Sequence, residues 1–145
     1  MDGISLAASI IAVIQIATAV TTQAYKYGQC VKNAKEDIEK ISGRLEDVSN
    51  TLNKLKDLAD RATQSGKSLD NWPTLVSLAS NGGPLTKCRE AMTSTLNELA
   101  PVDGWAKQRL ERGLWPLKKK KVQKCLDDIE DQKKVFIEAL SVEHM

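Results

Sequence analysis

Aromatic residues, histidine and β-strand patterning are all scarce in this sequence, and each shortage narrows what it can be. Three Trp, two Tyr and one Phe in 145 residues leave the core to Leu, Ile, Val and Ala within an apolar fraction of 41%. That palette favours helix packing over a sheet, and one domain is the size such a chain builds. No stretch alternates with period two, so no strand is expected. The single histidine, His144, stands next to the last residue. Catalysis needs a base, a nucleophile or a metal held by partners, and the sequence offers no such set. No catalytic residue, metal or cofactor is therefore expected. Asn81-Gly82-Gly83-Pro84 lacks the Lys-Ser/Thr of a phosphate loop and reads as a helix break. Cys30, Cys88 and Cys125 are odd in number and dispersed, which argues against a disulfide framework or a zinc site and for small buried hydrophobes. Asp127, Asp128, Glu130 and Asp131 stand beside Lys133 and Lys134 and read as a wet helical face.

The most informative absence is of charge. From Gly3 to Tyr25 there are 23 residues without one. Ile4, Leu6, Ile10, Ile11, Val13, Ile14, Ile16 and Val20 spread around the whole circumference of a helix expected over about 4–30. A helix apolar all round is buried in a bundle or in a bilayer, and this one is long enough to cross a hydrocarbon core. Ser5, Ser9, Gln15, Thr18, Thr21, Thr22 and Gln23 dilute it to a marginal permanent span. Ala8 and Ala12, with Ser5 and Ser9, form small-xxx-small pairs, which suit close helix contact in a membrane and equally a tight soluble core. Ala17-Thr18-Ala19 looks like a cleavage site, but no Lys or Arg precedes the apolar run, so a secretory signal is not expected.

Asn33-Ala34-Lys35-Glu36 reads as an N-cap and its box partner. The helix it opens, 34–63, carries Ile38, Ile41, Leu45, Val48, Leu52, Leu55, Ala59 and Ala62 at alternating steps of three and four, a heptad seam. Asn71-Trp72-Pro73 starts a short helix. Pro84 opens another, to about residue 100, with Leu85, Cys88, Met92, Leu96 and Leu99 inward. A short basic turn with Trp105 and Leu110 follows. Gly113 and Pro116 are expected to break it from a last helix, 117–141, with Val122, Leu126, Ile129, Phe136 and Leu140 inward. The expected fold is all-α: one domain, residues 1–145, a bundle of four long helices with one or two short connecting helices.

Net charge is only +2, but eight cations fall between Lys107 and Lys124 against one anion, Glu111. Lys107, Arg109, Arg112, Lys118, Lys119, Lys120, Lys121 and Lys124, flanked by Trp105 and Trp115, suit a solvated helix face, an anionic lipid surface or nucleic-acid phosphates. Of these, nucleic acid is the least expected. At the start of a helix, Lys118 to Lys121 oppose the dipole, so neutralising all four is expected to leave the fold intact.

The opening Met1-Asp2-Gly3-Ile4-Ser5-Leu6-Ala7-Ala8-Ser9-Ile10-Ile11-Ala12-Val13-Ile14-Gln15 resembles the start of the HeLo-like N-terminal domains of fungal STAND-type (NLR-like) proteins. Leu114-Trp115-Pro116-Leu117-Lys118-Lys119-Lys120-Lys121-Val122 is similar to that family's Trp-Pro-Phe-Lys-Lys-Glu-Val turn. Leu117 stands in place of its Phe, and Lys120-Lys121 in place of its acidic position. The resemblance implies a cell-death or innate-immunity signalling domain, related in fold to the four-helix executioner of necroptosis. It further implies self-association on activation and entry of the first helix into membrane, with relocation from cytoplasm to plasma membrane. A nucleotide-binding module with repeats, or an amyloid motif, is implied downstream. The rival expectation is an adaptor that oligomerises and acts through protein–protein contacts alone.

Overall fold

The computed structural model describes residues 3–64 and 73–143, and side chains within 6–64 and 73–141. Helix α1 (Gly3–Cys30) runs through a 3-10 turn, Lys32–Ala34, into α2 (Lys35–Gln64). A short α3 (Pro73–Leu78) precedes α4 (Pro84–Glu98), and α5 (Trp105–Glu143) follows. Among the described residues there are five α-helices, four of them long, and no strand. Trp72, expected near the start of the short helix, lies outside the described residues, as does His144.

Helix α2 forms as its seam requires: Ile38, Ile41, Leu45, Val48, Leu52, Leu55, Ala59 and Ala62 are all buried. Its remaining faces carry most of its charge to solvent. Helix α1 lies against α2 and α4, α5 lies against the same two, and all four contribute side chains to one hydrophobic core. Near the end of α1 the chain comes close to α2: a Cβ on Gly28 would stand 3.3 Å from the Ile38 side chain. Gly104, with φ of +86°, turns the chain into α5, whose first backbone bond runs from Gln108 N–H to the Gly104 carbonyl, 3.1 Å.

Three expectations are corrected. First, α1 is not dry all round. Leu6, Ile10, Val13, Ala17, Val20, Ala24 and Tyr27 are buried at steps of four and three, a seam on one side only. Ala8, Ile11, Gln15, Thr18, Ala19, Thr22 and Tyr25 face water. Apolar residues all round permitted burial on every side, but the chain supplies helices to cover just part of the circumference.

Second, Gly113 and Pro116 do not break the last helix; α5 runs unbroken from Trp105 to Glu143 with Pro116 inside it. Proline removes the N–H that would bond the carbonyl four residues back, that of Arg112. The Asn33 side-chain amide donates to the Arg112 carbonyl instead, at 3.0 Å. Third, Asn33 is therefore not the N-cap of α2. It sits in the 3-10 turn and serves α5.

Candidate functional site

Where the end of α1, the start of α2 and the first half of α5 meet, the core turns polar. Tyr27, 1% exposed, and Trp115, 2% exposed, pack with ring centroids 5.3 Å apart. A buried tyrosine hydroxyl or indole N–H requires a partner. The Tyr27 hydroxyl donates to Glu111 Oε2 at 2.8 Å, and Trp115 Nε1 donates to Asp37 Oδ2 at 2.9 Å. Each carboxylate is then met by a lysine. Lys118 Nζ lies 3.0 and 2.8 Å from the two Glu111 oxygens, and Lys119 Nζ lies 3.0 Å from Asp37 Oδ1.

Burial by itself would raise the Glu111 pKa. The hydrogen bonds from Lys118 and Tyr27, with the charges of Lys118 and Lys107, outweigh it and hold the carboxyl below its ordinary value. Asp37 behaves alike: desolvation is overcome by Trp115 and Lys119, with a smaller contribution from Lys40. Tyr27 is pushed up, by burial first and then by the Glu111 carboxylate. The corner is thus a pair of charged hydrogen-bonded clusters clasping α1 and α2 to α5.

This geometry sorts the expected basic patch. Lys118 and Lys119 are held by Glu111 and Asp37, while Lys107, Arg109, Arg112, Lys120, Lys121 and Lys124 are exposed. Because α5 begins at Trp105, the lysine run lies well inside the helix, and the dipole argument does not apply to it. Lys118 and Lys119 neutralise buried or half-buried carboxylates, so the expectation that all four lysines are dispensable is corrected for these two. Trp105 is 73% exposed, with the Arg109 guanidinium 5.4 Å from its ring centroid. Glu111 figured in the sequence only as the lone anion of a cationic run. The signal was present in its spacing, with Trp115 four and Lys118 seven residues on, but nothing pointed to Tyr27.

The second feature is the outer side of α1. The stretch Leu6–Cys30 is long and apolar enough to cross a membrane, yet only 28% of its most apolar window is buried. Of the residues expected to insert, Leu6, Ile10, Val13 and Val20 form the seam, Ile14 and Ile16 are half-buried, and Ile11 is exposed. The Ile4 side chain lies outside the described residues. Thr18, Thr21 and Thr22 each donate to the carbonyl four residues back, at 3.1, 2.9 and 3.0 Å. Their hydroxyls are thereby satisfied within the helix and do not depend on water. From Ala8 to Tyr25 the exposed face carries no charge.

The three cysteines are free; burial pushes the Cys88 thiol up to about 12 and raises Cys125 as well. In the acidic stretch of α5, Asp127 pairs with Arg44 at 3.1 Å and Glu130 with Lys133 at 3.0 Å. Among the described residues no group of three His, Cys, Asp or Glu is gathered as a metal site. Comparison of the chain with family models, with curated proteins and with solved structures gives no match.

Proposed function

We propose that this chain is a cell-death or innate-immunity signalling domain, a helical bundle that self-associates on activation and targets or permeabilises membrane through α1. The observation that carries the reading is the uncharged outer face of α1, whose threonine hydroxyls are already bonded within the helix. The likeness of the first fifteen residues and of 114–122 to HeLo-like domains supports it. Such a helix has two dry environments, its seam against α2 and α4 or a bilayer. A trigger that favours the second by a few kcal/mol moves the population. The domain then acts from the cytoplasm at the plasma membrane, within a longer protein carrying a nucleotide-binding module with repeats or an amyloid motif.

Leakage of dye from phosphatidylserine-containing vesicles tests it. The wild-type chain releases dye. Thr18→Lys with Thr22→Lys changes only exposed positions and keeps the resting fold. Each lysine adds about 3 kcal/mol to the cost of placing the helix across a bilayer, so leakage is lost. Equal leakage from wild type and variant removes α1 from the role. Oligomerisation without leakage under any activating condition favours the adaptor reading, in which the same face meets other protein.

A further inference from the structure

We propose that α5 carries a second membrane-contacting surface, separate from α1, in which Leu110 and Leu117 enter an anionic bilayer between Lys107, Lys120, Lys121 and Lys124. This rests on the membrane reading above and deepens it by naming where the still-folded domain first touches lipid.

Leu110 and Leu117 are seven residues apart and share one face of α5. They are 61% and 64% exposed, although both are large aliphatic side chains. The opposite face, with Glu111, Trp115, Val122 and Leu126, points into the molecule. Continuing the outward face, Lys121 and Lys124 follow one and two turns after Leu117, with Lys107 on one edge and Lys120 on the other. Among the described residues none of these four lysines forms an ion pair. Lys118 and Lys119, in the same run, are committed to Glu111 and Asp37. The lysines left on the outward face are therefore available to lipid phosphates.

The mixture of residues selects the occupant. A cationic rim meets an anionic surface by charge complementarity and repels a second copy of itself. Two leucines at the centre gain nothing from a nucleic-acid phosphate backbone, whereas they are removed from water on entering acyl chains. Cations alone would give binding that salt abolishes; the leucines add a component that salt does not screen.

Flotation of the full chain with vesicles tests this, using phosphatidylcholine alone and phosphatidylcholine with phosphatidylserine, each at low and high salt. Wild type binds the anionic vesicles and retains part of that binding at high salt. Leu110→Gln with Leu117→Gln melts like wild type, binds roughly tenfold more weakly and loses the salt-resistant part. Leu110→Met with Leu117→Met restores it. Lys120→Gln with Lys121→Gln and Lys124→Gln melts like wild type and loses the preference for anionic vesicles. If the Gln leucine variant binds like wild type while wild type does bind, this face does not enter lipid and α1 alone carries membrane contact. If wild type binds no vesicle, the membrane reading falls and this surface with it. A leucine variant that instead loses self-association in sedimentation, with vesicle binding unchanged, overturns the lipid assignment in favour of a second copy. Duplex DNA bound in gel shifts, and lost on the same leucine changes, overturns it in favour of nucleic acid.

Discussion

Helices α1 and α2 are 28 and 30 residues long, lie against each other and bury seams of the same three-and-four spacing. Their inner sides are near equivalents: Val13 and Leu45 are 2% and 1% exposed. They part company on the outside. Glu39, Glu46, Asp57 and Arg61 face water on α2, and Gln15, Thr18, Thr22 and Tyr25 do so on α1. A helix with charge on its outer face has one stable place, half wet on a core. A helix without it holds to the same core by its seam and can exchange water for something drier at little cost on its other side. The seam decides where a helix rests, and the outer face decides where else it can go.

The comparison is sharpest at the seams, where the effects are largest. Val13→Lys and Leu45→Lys each place an unpaired charge in a dry position and are expected to destabilise by several kcal/mol, about 3–5, in denaturant unfolding. Ile14→Asp, at a half-buried position, costs clearly less than Val13→Lys. Equal losses at 13 and 14 would mean that α1 is wrapped on all sides. Next comes the clasp at the end of α1, which α2 shares at its start. Glu111→Ala leaves the Tyr27 hydroxyl and Lys118 without their partner and is expected to cost about 3 kcal/mol; Tyr27→Phe removes one hydrogen bond and costs about 1 to 2.

The same clasp sets a dependence on acid. Glu111 and Asp37 have folded-state pKa values below their ordinary ones. Their contribution is therefore complete above the ordinary carboxylate range and declines as pH falls through and below it. A stability profile should drop on the acid side, and Glu111→Gln with Asp37→Asn should flatten that drop while lowering stability at neutral pH. The smallest effects are expected on the outer faces. Thr18→Lys on α1 and Glu46→Lys on α2 should each change stability by no more than about 0.5 kcal/mol. Only the first should alter vesicle leakage, and identical behaviour in that assay would erase the distinction between the two helices.

The heptad seam of α2 was legible because charged residues fill most of the gaps between its apolar positions and leave one register, although Ser42, Thr51 and Leu58 are buried beside that seam and were not read from it. The extent of α1 was legible too, but not its sidedness: where no charge marks the wet face, composition does not say which side neighbours cover. Pro116 misled because its effect is local in sequence while the group that offsets it, Asn33, comes from another helix junction. The Lys118-Lys119-Lys120-Lys121 run read as one patch for the same reason. Its division into two paired and two free cations is set by Glu111 and Asp37, and Asp37 arrives from α2.

The Tyr27–Trp115 pair also makes the corner visible without any added label. Trp115 sits in a dry seat beside Tyr27, and Trp105 stands in water. An indole shielded from water emits to the blue of one that is solvated, and a tyrosine 5.3 Å away passes its excitation to it efficiently. In a variant with Trp72 and Trp105 replaced by Phe, emission excited through tyrosine becomes an optical gauge of the closed corner. Movement of the end of α1 away from α5 should dim that sensitised emission, and wetting of the vacated seat should shift it to the red. The two changes can be followed in real time, so the proposed departure of α1 can be timed against hydration of the seat.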